Sequence, residues 1–276
     1  MGIYLNPGTG EFQESLNSKI YIDKTGLIKK TNEVLKTQQK FICVSRPRRF
    51  GKSMAADMLA AYYEQEEDSF GLFKNLQICH SPSFKKHLNQ YDVIKVNMQD
   101  FLSSTQNVNE MLNLLKSRLI RDLKRKYPDY VEDTNLIFAM QDIYACTRRP
   151  FVILIDEWDC LFREYKEDKD SQKKYLDFLR AWLKDKSYTA LVYMTGILPI
   201  KKYGTHSALN MFTEYSMTVP GDLAEFFGFT EPEVHSLCTQ YEMNFEEAKV
   251  WYDGYELISY DKNGAHFYSM YSPKSV

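Results

Sequence analysis

The chain lacks the features that mark a secreted or membrane-embedded protein. Its five cysteines are odd in number and scattered, with no Cys-x-x-Cys pair, which argues against a disulfide framework and against a zinc site. No apolar run approaches the roughly 18 residues that a membrane span needs, and the N-terminus has no signal-peptide core. We therefore expect a soluble, cytoplasmic protein that does not act at a membrane.

Neither sign of charge dominates the chain. The 35 basic and 37 acidic residues leave a net charge of −2, so the protein as a whole has no basic footprint for nucleic acid. There are no internal repeats and no low-complexity segments. A length of 276 residues suits one large domain, or a domain with an appendage.

The most informative segment is a strand-like apolar run that leads into a loop at residues 41–53. Gly51, Lys52 and Ser53 open a helical pattern directly after this loop, as in a phosphate-binding loop. In such a loop the lysine reaches the β- and γ-phosphates and the serine binds magnesium. Arg46 stands where the usual pattern begins with glycine. The sequence predicts nucleotide contacts from the whole loop, which comprises Arg46, Pro47, Arg48, Arg49, Phe50, Gly51, Lys52, Ser53 and Met54.

A second motif supports the first. Residues 151–155 are apolar and mostly β-branched, which indicates a buried parallel strand, and Asp156 and Glu157 follow directly. Carboxyl ends of strands are where open α/β sheets bind ligands. We predict that Asp156 holds magnesium and that Glu157 is the general base for water. A strand capped by a solvated turn is the alternative for this segment alone, but the two motifs together favour nucleotide binding.

The rest of the chain alternates strands with helices, which predicts a parallel sheet covered on both faces. Further strands are expected at residues 92–97, 189–196 and 213–219, and residues 1–20 are expected to be polar and rich in turns. A long amphipathic helix starting at Val108 has a basic face that could contact nucleic acid or simply face solvent. That face comprises Lys116, Arg118, Arg121, Lys124, Arg125 and Lys126.

The pattern changes from about residue 228. Two capping boxes, beginning at Thr230 and Asn244, predict two short helices that form a lid. A hairpin turning at Asn263-Gly264 is expected to follow. We therefore expect an α/β, P-loop NTPase fold with a three-layer parallel sheet, a small C-terminal helical lid and a terminal hairpin. The expected division is 1–227 for the ATPase domain and 228–276 for the lid and the start of a linker, with a cut before a further domain.

Six blocks of the sequence occur in a characteristic order. They are YIDKT at 21–25, SRPRRFGKS at 45–53, LIDEWD at 154–159, TGI at 195–197, FGFT at 227–230 and WYDGY at 251–255. Together they resemble the bacterial AAA-ATPase-like family, whose ATPase region is related to AAA+ and STAND ATPases. The resemblance covers nearly the whole chain and includes Arg46 as the usual residue at its position. Members commonly continue into a nuclease-like domain of the PD-(D/E)xK type.

The resemblance implies roles for individual residues. Lys52 and Ser53 match the phosphate and magnesium ligands, and Asp156 and Glu157 match the acidic pair. Thr195 ends the strand expected between those carrying the two motifs, and resembles a sensor of the γ-phosphate or lytic water. A satisfied hydroxyl at a strand end is the alternative for Thr195. Residues 21–25 are expected near adenine, and Arg48 and Arg49 either lie over the phosphates or stand exposed on the loop rim.

Three functions follow as hypotheses. The first is a magnesium-dependent ATPase that hydrolyses ATP to ADP and phosphate to drive a conformational or assembly change, with Lys52, Glu157 and Thr195 as catalytic residues. The second is a nucleotide-gated switch or scaffold with little turnover. The third is an ATPase module of a nuclease-linked defence or mobile-element protein. Beyond the nucleotide, the expected partners are further copies of the chain, DNA or a protein client.

Overall fold

A computed structural model describes residues 2–132, 134–200, 209–261 and 264–273. The centre of the described structure is a five-stranded sheet in the order β2-β3-β4-β1-β5, and every neighbouring pair runs parallel. β4 therefore lies between β1 and β3, as the family resemblance implied. The strands are β1 (Phe41–Ser45), β2 (Asp92–Asn97), β3 (Phe151–Asp156), β4 (Thr189–Gly196) and β5 (Thr213–Tyr215).

Helices cover both faces of this sheet and enclose two separate apolar cores. One face carries α1 to α5, and the other carries α6 to α10. The helices are α1 (Gly10–Leu16), α2 (Gly26–Val34), α3 (Lys52–Tyr63), α4 (Phe70–Phe73), α5 (Phe84–His87), α6 (Met98–Ser103), α7 (Val108–Lys126), α8 (Leu136–Thr147), α9 (Cys160–Glu164) and α10 (Lys169–Leu183). None of the helices in the described residues is both long and apolar enough to cross a membrane.

The predicted α/β fold with a three-layer parallel sheet is confirmed, with two corrections to its elements. Residues 10–16 form a helix instead of polar turns, because Phe12 is buried and stacks on Phe73 with ring centroids 4.9 Å apart. The fifth strand ends at Tyr215 instead of Val219. A turn closes there, in which the Ser216 amide donates to the Val219 carbonyl at 3.1 Å.

The chain from residue 229 forms a smaller unit. α11 (Glu231–Gln240) begins with the predicted capping box between Thr230 and Glu233, and α12 (Phe245–Tyr252) follows. The predicted hairpin consists of β7 (Asp253–Asp261) and β8 (Gly264–Tyr271), and β6 (Phe229–Thr230) adds a third antiparallel strand. The predicted turn includes Asn263, which lies outside the described residues.

Direct contacts join this smaller unit to the central sheet layer. Lys24, which precedes α2, donates to both carboxylate oxygens of Glu233 at 2.7 Å. The Phe50 ring, in the loop after β1, packs edge-on against Tyr255 with centroids 5.1 Å apart. The two units thus meet beside the phosphate-loop segment.

Glu64, directly after α3, has a buried carboxylate of which only one oxygen accepts a hydrogen bond among the described residues. Its side chain is fully buried, Oε2 accepts the Gly8 amide at 3.2 Å, and Oε1 has no hydrogen-bond partner among the described residues. Burial raises the pKa of Glu64 to about 7, because the charged form loses its hydration.

The raised pKa of Glu64 predicts a pH-dependent stability. The folded protein keeps the proton between about pH 4.5 and 7, whereas the unfolded chain releases it, so this group lowers stability as pH rises through that window. We expect Glu64→Gln to raise the free energy of unfolding by about 2 kcal/mol at pH 8 and to change it little at pH 4.5. Urea unfolding at both pH values measures this. The exposed Glu14→Gln is the control, and an equal effect at both pH values would contradict the prediction.

Candidate nucleotide-binding site

The loop between β1 and α3 forms an open cradle at the carboxyl edge of the sheet. Gly51 has a left-handed backbone with φ 78° and is the N-cap of α3. A Cβ atom built on Gly51 would meet nothing within 4 Å, so the space above this turn is free for a ligand. The 12-residue α3 directs its N-terminus at that space, where unpaired N–H groups favour an anion.

Lys52 lies across the inside of this loop. Its Nζ donates to the carbonyls of Arg46 at 3.0 Å and Pro47 at 2.9 Å, which leaves one of the three ammonium donors for a ligand. Burial lowers the pKa of Lys52, and the carboxylates of Glu157 and Asp156 act in the opposite direction. The loop therefore holds a cation that is only partly neutralised.

Asp156 links three elements at the end of β3. Its Oδ2 accepts the Ser53 hydroxyl at 2.5 Å, and its Oδ1 accepts the Thr195 hydroxyl and, at 2.9 Å, the Glu157 amide. Thr195 is fully buried and Asp156 is only 5% exposed. The structure thus brings the predicted metal ligands Ser53 and Asp156 together, and it directs the Thr195 hydroxyl to Asp156.

Glu157 follows with a left-handed backbone, φ 52°, which is uncommon for a residue other than glycine. Its carboxylate forms an ion pair with Arg163 of α9. Burial raises the pKa of Glu157, the Arg163 charge lowers it, and the charges of Asp156 and Asp159 raise it again. Glu157 also lines the cavity described next, so its side chain has access to a bound ligand.

A cavity of about 600 Å³ opens beside the loop. One side presents seven of the predicted loop contacts together with Glu157, and the other is largely apolar. The loop contacts that line it are Arg48, Arg49, Phe50, Gly51, Lys52, Ser53 and Met54, and the apolar side includes Phe12, Ile20, Tyr21, Ile22, Met58, Phe226 and Phe229. Tyr21, Ile22 and Lys24 also line the cavity, and the nearness of residues 21–25 to adenine stays a prediction.

Arg48 and Arg49 are both exposed at this cavity. In the described part of the chain neither guanidinium has a hydrogen-bond or ion-pair partner. Arg49 has a left-handed backbone with φ 71°, at the crest of the loop. Two unpaired cations thus stand at the loop, beside Lys52.

The side chain of Arg46 does not line the cavity. The prediction that Arg46 contacts the nucleotide is therefore not supported for its side chain. It is fully buried, its Nη1 donates to the Tyr215 carbonyl at 2.8 Å and the Ser45 carbonyl at 3.1 Å, and it lies over the Phe227 ring. Its Nε and Nη2 have no hydrogen-bond partner among the described residues, and burial lowers its pKa to about 10. Only the Arg46 and Pro47 carbonyls face the loop interior, where they hold Lys52.

The donor set suits magnesium. Mg²⁺ prefers oxygen ligands, keeps several waters, and uses one or two protein groups together with substrate phosphates. Ser53 and Asp156 supply a hydroxyl and a carboxylate 2.5 Å apart. No group of three or more His, Cys, Asp or Glu side chains that could enclose a metal occurs among the described residues.

Sequence reasoning missed two residues that organise this site. Asp159 is fully buried, and its Oδ2 accepts the amides of Ile197 at 3.0 Å and Leu198 at 2.7 Å. Arg163 pairs with Glu157. Asp159 lies within the LIDEWD block, so its membership of that block could have identified it as a residue of the site. For Arg163 the spacing of six residues from Glu157, across a turn and a short helix, has no regular pattern.

The predicted basic face of α7 does not contribute to the cavity. Lys126 pairs with Glu66 at 2.7 Å and Asp92 at 2.5 Å, and Lys116 lies over the Phe178 ring. Arg121, Lys124 and Arg125 are exposed. Part of this face is thus committed to internal contacts, and a role in DNA binding stays a prediction.

The sheet order and the loop between β1 and α3 define the protein as an α/β protein with the P-loop NTPase fold. The model of the AAA-ATPase-like family, described as "Predicted AAA-ATPase", matches residues 8–205. Because this match covers more than half of the sequence, the chain belongs to the AAA-ATPase-like family.

Two further similarities were found. The "uncharacterized protein in vnfD 5′ region" of Azotobacter chroococcum mcd 1 is 23% identical over 251 residues, which cover 85% of this chain and 45% of that protein. The ORC2 protein of Aeropyrum pernix, solved as ADPNP-ADP complexes, has a TM-score of 0.42 at 9% identity, with coverage of 81% of this chain and 54% of that chain. The chain thus spans about half the length of each of these proteins.

The buried position of Arg46 predicts that the volume of its side chain matters more for stability than its charge. Arg46→Gly restores the usual glycine but leaves a cavity, so we expect it to lower the free energy of unfolding by about 2–4 kcal/mol. Arg46→Met keeps most of the volume and removes a charge with unpaired donors, so its cost should stay within about 1 kcal/mol. Urea unfolding measures both changes.

Arg48→Gly is the matched control, because it makes the same substitution two residues away at an exposed side chain. Its cost should not exceed about 1 kcal/mol. If Arg46→Met were as destabilising as Arg46→Gly, the charge of Arg46 would be required and this account of its role would be wrong.

Proposed function

We propose that this protein binds ATP with magnesium and hydrolyses it to ADP and phosphate. The observation that carries the proposal is the convergence of Lys52, Ser53, Asp156 and Glu157 at one edge of the sheet, beside a cavity of about 600 Å³. Membership of a family of predicted ATPases supports it.

The loop side of the cavity suits a triphosphate. The α3 N-terminus and the free donor of Lys52 can bind phosphate oxygens, and Arg48 and Arg49 add two cations at the same wall. Ser53 and Asp156 would hold the magnesium ion, which when bound polarises the phosphate oxygens and neutralises charge. The unpaired cations and the oxygen donors at this wall thus support binding of a triphosphate with magnesium.

The apolar side of the cavity suits a purine base. Tyr21 and Ile22, which precede α2, line the cavity together with Phe226 and with Phe229 of the smaller unit. The Tyr21 ring packs edge-on against Phe12 with centroids 6.3 Å apart, so its position is fixed before a ligand binds. A base enclosed by both units would also link nucleotide binding to their relative position.

Within this site Glu157 is the group able to act as the general base. Its carboxylate faces the cavity and its raised pKa makes it a better proton acceptor than an exposed glutamate. Thr195 donates a hydrogen bond to Asp156 and thereby positions the Asp156 carboxylate, which in turn accepts the Ser53 hydroxyl. In this proposal Glu157 takes the proton from the attacking water while Lys52 stabilises charge that develops on the γ-phosphate.

One observation favours the second hypothesis, a nucleotide-gated switch with little turnover. Glu157 is paired with Arg163 in this structure, so the general base is not free. The structure also offers direct contacts, from Phe50 to Tyr255 and from Lys24 to Glu233, through which a bound nucleotide could act on the smaller unit.

The domain division at residues 227 and 228 is also kept as a proposal. It is supported by the separate apolar core of the smaller unit, formed by Val234, Cys238, Ala248 and Tyr271. Further copies of the chain, a DNA or protein client, a linked nuclease and the cytoplasmic location stay predictions.

Two substitutions separate nucleotide binding from hydrolysis. Lys52→Ala should weaken ATP binding by at least about tenfold, because a charged phosphate donor is lost. Glu157→Gln should leave ATP binding unchanged and lower kcat by about a hundredfold or more, because the base is lost. Fluorescent-ATP titration and phosphate release measure the two effects.

The exposed Lys29→Ala serves as the control for loss of a lysine. ATP binding that survives Lys52→Ala would contradict the phosphate site. Phosphate release that is unchanged in Glu157→Gln would remove Glu157 as the base and leave the switch as the better account.

The assignment of the base to the apolar wall predicts selective effects at Tyr21. Tyr21→Ala should weaken ATP binding by about tenfold, because base–aromatic contact is lost, but should leave inorganic tripolyphosphate binding unchanged. Tyr21→Phe keeps the ring and should bind ATP normally. Competition titrations with both ligands measure this, and equal losses for both would show that Tyr21 acts on the phosphate site instead.

A further inference from the structure

The loop between β1 and α3 has one side chain that is buried against the smaller unit. Phe50 is 1% exposed, whereas the preceding Arg48 and Arg49 are exposed. The Phe50 ring packs edge-on against Tyr255 of β7 with centroids 5.1 Å apart. Leu257 of the same strand belongs to the apolar core that contains Phe50. The loop that faces the proposed phosphate site is therefore also packed against the smaller unit.

Gly228, which precedes β6, makes this contact a close one. Its amide donates to the Phe50 carbonyl at 3.1 Å. Its backbone is left-handed, φ 87°, and a Cβ atom built on it would lie 3.0 Å from both the Phe50 ring and the Tyr271 carbonyl oxygen of β8. No free space separates these groups, so a displacement of the Phe50 ring acts directly on the segment that leads into the smaller unit.

The start of the loop contacts the same segment. The Arg46 guanidinium lies over the ring of Phe227, 5.5 Å from its centroid. Phe50 itself stands between two residues with left-handed backbones, Arg49 at φ 71° and Gly51 at φ 78°. Because this turn sets the direction of the Phe50 side chain, a change of the turn on ligand binding reorients the ring.

In the described structure the smaller unit presents no charged group to a bound triphosphate. It lines the cavity with Phe229, Leu237 and Pro273, which are all apolar. Lys24 links the cavity to the smaller unit, but its three ammonium donors go to the Glu233 carboxylate oxygens and to a main-chain carbonyl. An effect of the phosphates on the smaller unit therefore has to pass through the loop.

We propose that the smaller unit senses the phosphates of the bound nucleotide through the contact between Phe50 and Tyr255, with no contribution from the base. This route rests on the proposed nucleotide binding, but it does not require hydrolysis. Because coupling between two sites is reciprocal, a partner that binds the smaller unit more tightly in one of its states changes the phosphate affinity by the same factor.

Inorganic tripolyphosphate separates this route from the base wall, because it carries the phosphates alone. In wild type, saturating tripolyphosphate should slow hydrogen exchange of the amides of β7 and α11 by at least about fivefold, the lower end of typical coupling between sites. Competition with fluorescent ATP shows that the ligand is bound. If exchange were unchanged with tripolyphosphate bound, the proposed route would be overturned.

Substitutions at Tyr255 test the contact from the side that does not line the cavity. Tyr255→Ala should abolish the slowing and keep the dissociation constant for tripolyphosphate within about threefold. Tyr255→Phe retains the ring and should retain the slowing. Tyr260→Ala is the matched control, because it makes the same substitution on the same strand at a side chain that is 77% exposed, and it should also retain the slowing.

The ratio of exchange rates with and without ligand distinguishes coupling from a structural role. A residue that only stabilises the hairpin would speed exchange equally in both states and leave the ratio unchanged. If Tyr255→Ala kept the fivefold ratio, the contact would not carry the signal and the proposal would be wrong.

Phe50→Leu tests the same contact from the loop and decides the question if Tyr255→Ala does not fold. It keeps most of the apolar volume and removes the ring, so the ratio at saturating tripolyphosphate should fall below about twofold. Because the measurement is made at saturation, a change of affinity does not affect it. A full fivefold ratio in Phe50→Leu would also overturn the proposal.

Failure of the proposed function would give a different result. If wild type bound ATP and tripolyphosphate but released no phosphate, hydrolysis would be rejected, and the exchange ratio would still decide the role of Phe50. If wild type bound neither ligand, the titration would reject the phosphate site together with this route.

Discussion

The carboxylate of Asp156 is the interaction on which the geometry of this site depends. A charged group that is 5% exposed must be compensated by hydrogen bonds or by an opposite charge. Asp156 obtains that compensation from the hydroxyls of Ser53 and Thr195 and from the Glu157 amide. Satisfying one buried charge thus fixes the start of α3 and the ends of β3 and β4 against each other, before any ligand is present.

Hydrogen bonds also fix the loop between β1 and α3 to its surroundings. Lys52 bonds to two of the loop's own carbonyls, and Arg46 bonds to the Tyr215 carbonyl of β5. The Phe50 carbonyl accepts the Gly228 amide at 3.1 Å. The loop is therefore connected both to the sheet edge and to the start of the smaller unit, so a change of loop conformation on phosphate binding acts directly on both.

The sequence was sufficient for most of the sheet and for the two motifs that the structure brings together at its carboxyl edge. Buried parallel strands are continuous apolar runs, and Gly51, Lys52, Asp156 and Glu157 lie at their ends, where local pattern and fold agree. It was insufficient for α1, whose single buried anchor Phe12 gives no helical period. It also could not show that Arg46 points into the core, because arginine is rarely buried and its partners, Tyr215 and Phe227, are distant in sequence.

The proposed site must accept a triphosphate beside two acidic side chains, so the balance of charge around them matters. The hydroxyls of Ser53 and Thr195 donate hydrogen bonds to Asp156, and Arg163 forms an ion pair with Glu157, so the negative charge of Glu157 is balanced beside the cavity. On the same side of the cavity Arg48 and Arg49 have no partner among the described residues, and the hydrogen bonds of Lys52 there are to carbonyls. A polyanion that approaches the loop therefore meets a locally positive potential, which favours association. Release of Glu157 would add negative charge to this balance, and a bound magnesium ion held by Ser53 and Asp156 would offset it.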